Sequence, residues 1–220
     1  MSSINLLPDN TRIDVATIYC IGLNYIKHIQ ELENEVNAEP VLFLKPAASL
    51  ITQNRAIELP SYSEDVHHET ELVLLIGREG RNILEDNALE HIAGVGIGLD
   101  LTARDTQTAL REKGLPWTVS KGFETAACVS DFLPVQRFGD LGKLRFTLKV
   151  NGEQRQEGDT SLMIFSVPKI LQYISSVITL QPGDLIFTGT PHGVARIVPG
   201  DRLELSLEGI LHAGFTVAGA

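Results

Sequence analysis

Residues 67–77 read HHETELVLLIG and form the longest β-like run of the chain. Side chains at positions i and i+2 of a strand point to the same face, so Glu69 and Glu71 place two carboxylates side by side. The apolar residues that follow predict a strand end buried in a core. Taken alone, the segment also fits a solvated strand start. Two like charges held together need a counter-ion.

A third carboxylate closes another predicted strand. Residues 94–101 alternate glycine with Val, Ile and Leu, as a strand does where another backbone or a ligand approaches closely. Asp100 ends this apolar run, where an unpartnered charge would be costly to bury. Three carboxylates at strand ends predict a hard cation, and oxygen-only ligation favours Mg²⁺, Mn²⁺ or Ca²⁺. His67 and His68 leave zinc as an alternative, although both also fit as ordinary strand residues.

Short strands dominate the predicted structure, and the helices are few and short. The Asn151-Gly152 pair between two β-like runs predicts a tight hairpin in the second half. Strands do not alternate with helices, and no G-x-G-x-x-G motif is found, so a Rossmann fold is disfavoured. We therefore predict an α+β fold, a β-rich roll or barrel with few short helices.

One predicted helix, residues 24–35, carries a candidate catalytic pair. His28 and Glu31 are three residues apart and are therefore neighbours on one helix face. A carboxylate beside an imidazole fixes its tautomer and raises its basicity, as a general base for water requires. A solvent-exposed ion pair is the alternative interpretation.

A second predicted helix, residues 102–113, follows the strand that ends at Asp100. The spacing of Thr102 and Asp105 predicts a capping box at its start. Three polar residues of this helix and of the segment after it are candidate site residues: Arg104, Gln107 and Lys121. They are either ordinary surface residues or part of the site formed by the three carboxylates.

Composition limits the class of protein. The chain has 220 residues, a formal net charge of −10, and 43% hydrophobic against 21% charged residues, which is typical of a globular protein. The negative charge makes a nucleic-acid partner unfavourable, and no apolar segment is long enough to suggest a membrane partner. Two widely spaced cysteines predict buried reduced thiols. We expect a cytoplasmic protein with a lead-in at residues 1–16 and a catalytic domain at residues 17–220.

Together these motifs resemble the fumarylacetoacetate hydrolase family, especially its short acylpyruvase and oxaloacetate decarboxylase members. The likeness covers nearly the whole chain after the lead-in. The matching segments are 22–25 with His28 and Glu31, 40–46, 67–71, 99–105, 114–117, 150–153 and 188–191.

The resemblance implies a β-rich roll of the family's C-terminal-domain type that forms homodimers and binds Mg²⁺ or Mn²⁺. It assigns roles to ten residues: Glu69, Glu71 and Asp100 as metal ligands; His28 and Glu31 as the catalytic dyad on a lid helix; Lys121 beside the metal and Gln107 supporting the lid; Lys45, Arg104 and Thr190 lining the substrate pocket.

The family likeness also implies an enzyme acting on a small 2-oxo acid. We expect hydrolysis of acylpyruvates such as acetylpyruvate and fumarylpyruvate, together with oxaloacetate decarboxylation. Leu23 stands where relatives commonly have arginine, and Ala195-Arg196 replaces a more usual Gly-Pro pair, which affects substrate identity. Two alternatives stay open. The first is an enzyme of homoprotocatechuate breakdown, either 2-hydroxyhepta-2,4-diene-1,7-dioate isomerase or 5-oxopent-3-ene-1,2,5-tricarboxylate decarboxylase. The second is a non-catalytic module that binds a divalent cation or a small acid.

Overall fold

The structure is a computed structural model that describes residues 2–32, 36–53 and 55–219. Most of its regular structure is β. The strands in the described residues are β1 Ser3–Leu6, β2 Thr11–Asp14, β3 Ile18–Gly22, β4 Val41–Lys45, β5 Leu50–Ile51, β6 Val66–His68, β7 Thr70–Ile76, β8 Ile92–Asp100, β9 Thr102–Ala103, β10 Ala127–Val129, β11 Leu133–Pro134, β12 Arg145–Val150, β13 Glu153–Asp159, β14 Leu185–Phe187, β15 Ala195–Arg196, β16 Arg202–Leu207 and β17 Leu211–Thr216.

The helices are short by comparison. The α-helices are α1 Ile26–Glu31, α2 Arg104–Glu112, α3 Thr118–Lys121 and α4 Val167–Val177. Single 3₁₀ turns or slightly longer 3₁₀ segments occupy Ala47–Ser49, Glu85–His91, Val135–Arg137, Leu141–Lys143 and Thr160–Leu162. Residues 33–35 of the predicted first helix lie outside the described residues.

A curled eight-stranded sheet forms the centre of the molecule. Its strand order is β4-β3-β14-β7-β8-β10-β5, with β11 also paired to β8. Strands β7 and β8 are antiparallel and place Glu71 opposite Gly98. Every residue of β7 is buried, as the apolar run after the two glutamates predicted. This pairing brings the two carboxylate-bearing segments to one end of the sheet.

The alternating glycines of β8 allow close packing over the sheet. A Cβ at Gly96 would lie 2.9 Å from the Phe132 ring, and one at Gly98 would lie 2.5 Å from the Cys128 carbonyl oxygen. Real Cβ atoms do not approach other atoms so closely, so these positions require glycine. The prediction that a neighbouring backbone approaches this strand is confirmed.

A second sheet, with strand order β13-β12-β16-β17, completes the roll. Its alternating buried side chains join those of the central sheet and α4 in the main core. The Asn151-Gly152 turn between β12 and β13 is present as predicted, with both residues at positive φ. The predicted α+β, β-rich roll with few short helices is confirmed. Among the described helices, none combines the length and apolar character needed to cross a membrane.

The polar N-terminal segment is more ordered than its sequence suggests. Strands β1 and β2 form an antiparallel hairpin. Ile4 is 1% exposed and joins Val15 and Phe132 in a smaller hydrophobic cluster on the outer face of the central sheet. Short polar strands are weak signals in sequence because tertiary packing, and not local preference, stabilises them.

The predicted capping box at Thr102 is wrong. Thr102 belongs to β9, which pairs with β6, so the backbone stays extended and α2 begins at Arg104 without a side-chain cap. The Asp105 carboxylate accepts hydrogen bonds from Ser63 Oγ at 2.6 Å and from the Glu64 amide at 2.9 Å. Long-range strand pairing has displaced a local helix signal.

Candidate active site

The three predicted carboxylates meet at the end of the β7–β8 pair. Glu69 precedes β7, Glu71 lies within it, and Asp100 ends β8. One carboxylate oxygen from each lies within 4.8 Å of the other two, and all three side chains are buried. The Asp100 amide donates to the Glu69 carbonyl at 2.8 Å, which holds the two strand ends together. Neither His67 nor His68 belongs to this cluster.

Three basic side chains balance the carboxylates. Lys121 Nζ donates to Glu69 Oε2 at 2.7 Å and to Asp100 Oδ2 at 2.8 Å. Arg104 donates through Nη2 to Glu69 Oε1. Lys45 Nζ lies 2.7 Å from Asp100 Oδ1. Buried charges need such partners, because each would otherwise lose its hydration without compensation.

The surroundings shift the pKa values of Glu69 and Glu71 in opposite directions. Burial by itself would raise the pKa of Glu69, but the Lys121 ammonium and the Arg104 guanidinium outweigh it and hold that pKa below its usual value. Burial, and then the Asp100 and Glu69 carboxylates, raise the pKa of Glu71 well above its usual value. For Lys121, Asp100 and Glu69 outweigh burial and raise the pKa of the ammonium. The basic groups therefore favour the charged form of Glu69 but leave Glu71 undercompensated.

The cluster fits a hard divalent cation. Lys45 approaches Asp100 Oδ1 off the direction of a hydrogen bond, so this buried oxygen has a charge nearby but no hydrogen-bond donor among the described residues. Glu71 Oε2 accepts from the Gly189 amide at 2.7 Å. Carboxylate oxygens alone form the donor set, which suits Mg²⁺ or Mn²⁺ and gives no support to zinc. His68 instead bonds Gln156 at 2.9 Å, and His67 bonds Asp65 at 2.9 Å.

The candidate dyad lies at the edge of the same site. His28 is buried, and its Nδ1 lies 3.2 Å from Glu31 Oε2. The Gly193 amide donates to Glu31 Oε1 at 3.0 Å. Burial would raise the pKa of Glu31, but the hydrogen bonds from His28 and Gly193 lower it below its usual value. An ionised carboxylate only accepts hydrogen bonds, so His28 Nδ1 carries a proton, and in the neutral imidazole Nε2 has the free lone pair.

A cavity of about 210 Å³ joins the triad to the dyad. Its walls include eight of the ten residues singled out in the sequence: His28, Glu69, Glu71, Asp100, Arg104, Gln107, Lys121 and Thr190. Glu31 stands behind His28. Lys45 is also absent from the walls, since its buried side chain lies behind Asp100 and bonds the Leu101 carbonyl at 3.0 Å. In this structure Lys45 is therefore not among the cavity-wall residues, and its ammonium contacts Asp100 from behind.

Other residues of the site were missed in the sequence. Arg111 lines the cavity from α2, one and two turns beyond Gln107 and Arg104, a helical spacing that could have revealed it. Gly189 and Gly193 hold Glu71 and Glu31 through backbone amides, which no side-chain pattern shows. Gln156 binds the Thr190 hydroxyl at 2.9 Å. That hydroxyl donates to the Thr70 carbonyl at 2.9 Å, so Thr190 is fixed in place.

The two sequence departures have different positions. Leu23 lines the cavity with a φ of +59°. Ala195 and Arg196 form β15, which pairs with His68 and His67, and neither residue lines the cavity. Only Leu23 is placed to affect substrate binding directly.

Comparison with known proteins identifies the family. Residues 17–218 match the family described as fumarylacetoacetate (FAA) hydrolase C-terminal. The chain belongs to the fumarylacetoacetate hydrolase family. It is 46% identical over 200 residues to oxaloacetate tautomerase FAHD1, mitochondrial, of Rattus norvegicus, a match covering 91% of this chain and 90% of the relative. It is 44% identical over 194 residues to oxaloacetate decarboxylase, mitochondrial, of Dictyostelium discoideum, covering 88% of this chain and 89% of the relative.

A solved structure of the same family superposes closely. Fumarylpyruvate hydrolase from Pseudomonas aeruginosa, in complex with Mn²⁺ and pyruvate, gives a TM-score of 0.93 at 34% identity and covers 99% of this chain and 96% of its own. The predicted resemblance to the fumarylacetoacetate hydrolase family is confirmed. The expectation of a cytoplasmic location is contradicted, because relatives that match nearly the whole chain are named as mitochondrial proteins. Net charge and overall composition carry too little information about compartment.

Proposed function

We propose that this chain is a divalent-cation-dependent enzyme that cleaves a C–C bond in small 2-oxo acids, hydrolysing acylpyruvates and decarboxylating oxaloacetate. One observation carries the proposal: the buried acidic triad and His28, which Glu31 contacts from behind, line the same cavity of about 210 Å³. The names of the oxaloacetate decarboxylase and fumarylpyruvate hydrolase relatives support this substrate class.

Glu69, Glu71 and Asp100 would hold the cation. When bound, the cation would supply Lewis acidity toward the 1-carboxylate and 2-keto oxygens of the substrate. It would also add positive charge to a site in which the basic side chains only balance the carboxylates. Lys121 and Arg104 keep Glu69 in one orientation through their ion pairs. Lys121 and Arg104 also line the cavity, where their charges favour an anionic substrate.

His28 acts as the general base in hydrolysis. Glu31 fixes the Nδ1–H tautomer, so Nε2 removes a proton from water as the water oxygen attacks the C4 acyl carbonyl. Gln107, held by Arg104 Nη1 at 2.7 Å, supplies a polar contact to the developing oxyanion. The C3–C4 bond then breaks, its electron pair remains on the pyruvate fragment as an enolate, and C3 takes up a proton. The products are a carboxylic acid and pyruvate.

Oxaloacetate decarboxylation uses the same head-group contacts without an attacking water. The C3–C4 bond breaks, CO₂ leaves, and the electron pair forms the enolate of pyruvate, which is protonated at C3. His28 is not needed to activate water in this reaction. The dyad therefore distinguishes the two activities.

An ultraviolet assay of acetylpyruvate, fumarylpyruvate and oxaloacetate tests the proposal. We expect turnover that is abolished by chelator and restored by Mg²⁺ or Mn²⁺. Glu71→Gln removes a carboxylate with little change of shape and should abolish turnover, whereas Glu124→Gln on the exposed surface should not. Tight binding of the acids without turnover in the presence of either metal would instead identify a non-catalytic binding module.

Keto–enol interconversion of oxaloacetate is a second candidate, favoured by the name of the Rattus norvegicus relative. It needs a base that exchanges a proton at C3, and His28 is placed in the cavity wall for that task. Decay of enol-oxaloacetate absorbance, faster with enzyme than without it and slowed in His28→Ala, would support this activity.

Three finer features belong to the same proposal. We take Mg²⁺ or Mn²⁺ as the resident ion, a homodimer as the assembly, and residues 17–220 as the catalytic unit after a lead-in of residues 1–16. Metal titration followed by turnover distinguishes the ions. Light scattering coupled to size-exclusion chromatography gives the oligomeric state.

A further inference from the structure

An apolar groove of about 460 Å³ lies next to the cavity. Three residues belong to the walls of both: Val41, Phe43 and Trp117. The groove and the cavity therefore adjoin each other along these three side chains. The side chains that complete it come from β4 and from the loop between α2 and α3, chiefly Leu44 and Leu115.

Phe43 stands at the junction. Its ring lies 5.0 Å from Lys121 Nζ, the ammonium that binds Glu69 and Asp100. The Phe43 ring also packs against Trp117 in an edge-type arrangement, with ring centroids 5.6 Å apart and an interplanar angle of 66°. One aromatic ring thus contacts the charged end of the cavity and also belongs to the groove wall.

The groove offers no cationic partner for an anion. Its wall residues include no Lys, Arg or His, and their polar side-chain groups are the Thr118 hydroxyl and the Trp117 indole N–H. A carboxylate placed there would lose hydration without gaining a cationic partner, whereas an alkyl chain would gain from burial. Leu44 and Leu115 are 46% and 48% exposed, so each has apolar surface left to cover. Leu23, also apolar, lines the adjoining cavity.

Because Val41, Phe43 and Trp117 line both spaces, we propose that the groove is the acyl subsite and that the preferred substrates are acylpyruvates with an extended apolar acyl chain. The inference rests on the proposed function, since the 2-oxo acid head must lie at the triad for the tail to reach the groove. Phe43, Leu115 and Trp117 are then specificity-determining residues. Dicarboxylates such as oxaloacetate would occupy the cavity alone.

Binding can be tested without turnover, because Trp117 is the only tryptophan in the chain. Simple 2-oxo acids lack the C4 carbonyl and are not hydrolysed, so 2-oxobutanoate, 2-oxohexanoate and 2-oxooctanoate serve as probes in Mg²⁺. We expect each to change the Trp117 fluorescence, with Kd falling about tenfold for every two methylenes buried. A flat series, with equal Kd for all three, would overturn the inference.

Turnover gives the second test, using 2,4-dioxopentanoate, 2,4-dioxoheptanoate and 2,4-dioxononanoate. We expect KM to fall as the chain lengthens, and Leu115→Asp to remove this dependence. The matched control is Leu84→Asp, at a leucine that is 64% exposed and is not among the groove-wall residues; this variant should keep the chain-length dependence. Absence of cleavage for all three acids contradicts the proposed function, whereas cleavage with no chain-length effect contradicts only the acyl subsite.

A second copy of the chain could occupy the groove instead. Light scattering, which measures the oligomeric state, distinguishes a second copy of the chain from an acyl chain as the occupant of the groove. If Leu115→Asp converts a wild-type dimer into a monomer while Leu84→Asp does not, the groove is an interface and the acyl subsite is wrong. An unchanged oligomeric state together with a lost chain-length dependence supports the acyl subsite.

Discussion

The backbone amide of Gly193 donates a hydrogen bond to Glu31 Oε1 at 3.0 Å, across 162 residues of sequence. Glu31 lies at the end of α1 and also contacts His28 Nδ1 at 3.2 Å. A loop that follows β14 therefore orients the imidazole through a single carboxylate. The same loop contains Gly189, whose amide donates a hydrogen bond to Glu71. One segment thus positions both the dyad and the acidic triad.

Gly193→Ala should weaken hydrolysis through Glu31. Gly193 has a φ of +94°, and an added Cβ would lie 2.3 Å from the Arg155 carbonyl oxygen, so the loop must shift. We expect acetylpyruvate kcat to fall about tenfold or more, since general-base catalysis depends on orientation. The matched control is Gly200→Ala, at a φ of +92° with open space around the added atom. Equal kcat values for the two variants would contradict the role of this hydrogen bond.

His28→Ala should affect acylpyruvate hydrolysis much more than oxaloacetate decarboxylation. Acetylpyruvate hydrolysis needs an activated water and should fall about 100-fold or more, whereas oxaloacetate decarboxylation should fall much less. Glu31→Gln keeps the shape of the side chain but loses the charge that holds the Nδ1–H tautomer, so it should follow the same pattern more weakly. Steady-state assays of both substrates measure the ratio. Parallel losses for the two substrates would argue against His28 as the base for water.

Lys45→Met should destabilise the metal-free protein. The substitution removes one of the two ammonium groups that pair with buried Asp100, leaving only Lys121, and frees the Leu101 carbonyl, at an expected cost of up to about 3–5 kcal/mol. Added Mn²⁺ should raise Tm more in this variant than in the wild type, because it replaces the missing positive charge. Lys143→Met is the control, since that lysine pairs with Asp140 on the surface with 77% of its side chain exposed. A Tm loss no larger than that of the control would contradict the supporting role of Lys45.

Ile4→Ala should show that the N-terminal hairpin contributes to stability. Ile4 is 1% exposed and packs in the smaller core, so truncation leaves a cavity and should cost about 2–5 kcal/mol of unfolding free energy. Ile210→Ala, at a residue 48% exposed in a turn, should cost far less. Urea unfolding followed by circular dichroism measures both. Unfolding curves that coincide would mean that the hairpin is not packed as described.

Both cysteines should be inert in the folded protein. Cys20 and Cys128 are fully buried, and burial raises the pKa of each thiol well above its usual value. Because the thiolate is the reactive form, raising the solution to pH 9 should not start a fast reaction with a disulfide reagent. Two equivalents should react after denaturation, which serves as the control. Rapid labelling of the native protein would show that β3, which contains Cys20, or β10, which contains Cys128, opens to solvent.

Much of the candidate site could be predicted because its residues lie in short motifs. Glu69 and Glu71 share one strand start, and His28 and Glu31 share one helix face, so local periodicity relates the members of each pair. Residues that act through tertiary contacts were harder to assign. Lys45 follows an apolar strand, and nothing local indicates that it lies behind Asp100 and not in the cavity wall.

Local signals also failed where distant pairing was stronger. Thr102 has the spacing of a helix cap, yet β9 pairs with β6 and keeps it extended. Residues 1–16 read as a polar lead-in, yet Ile4 is buried against the central sheet. In both cases, hydrogen bonds or apolar contacts to distant segments outweigh preferences of a few tenths to about 1 kcal/mol.

By itself the sequence determined the β-rich class and predicted the Glu69–Glu71 and His28–Glu31 pairs, because apolar periodicity and the spacing of carboxylate and imidazole groups are properties of neighbouring residues. The tertiary structure alone decided how they work together. It brought Lys45, Lys121 and Arg104 against the carboxylates, used Gly189 and Gly193 as backbone donors, and opened an apolar groove beside a charged cavity. These relationships depend on distances between segments far apart in the chain, and the sheet sets those distances.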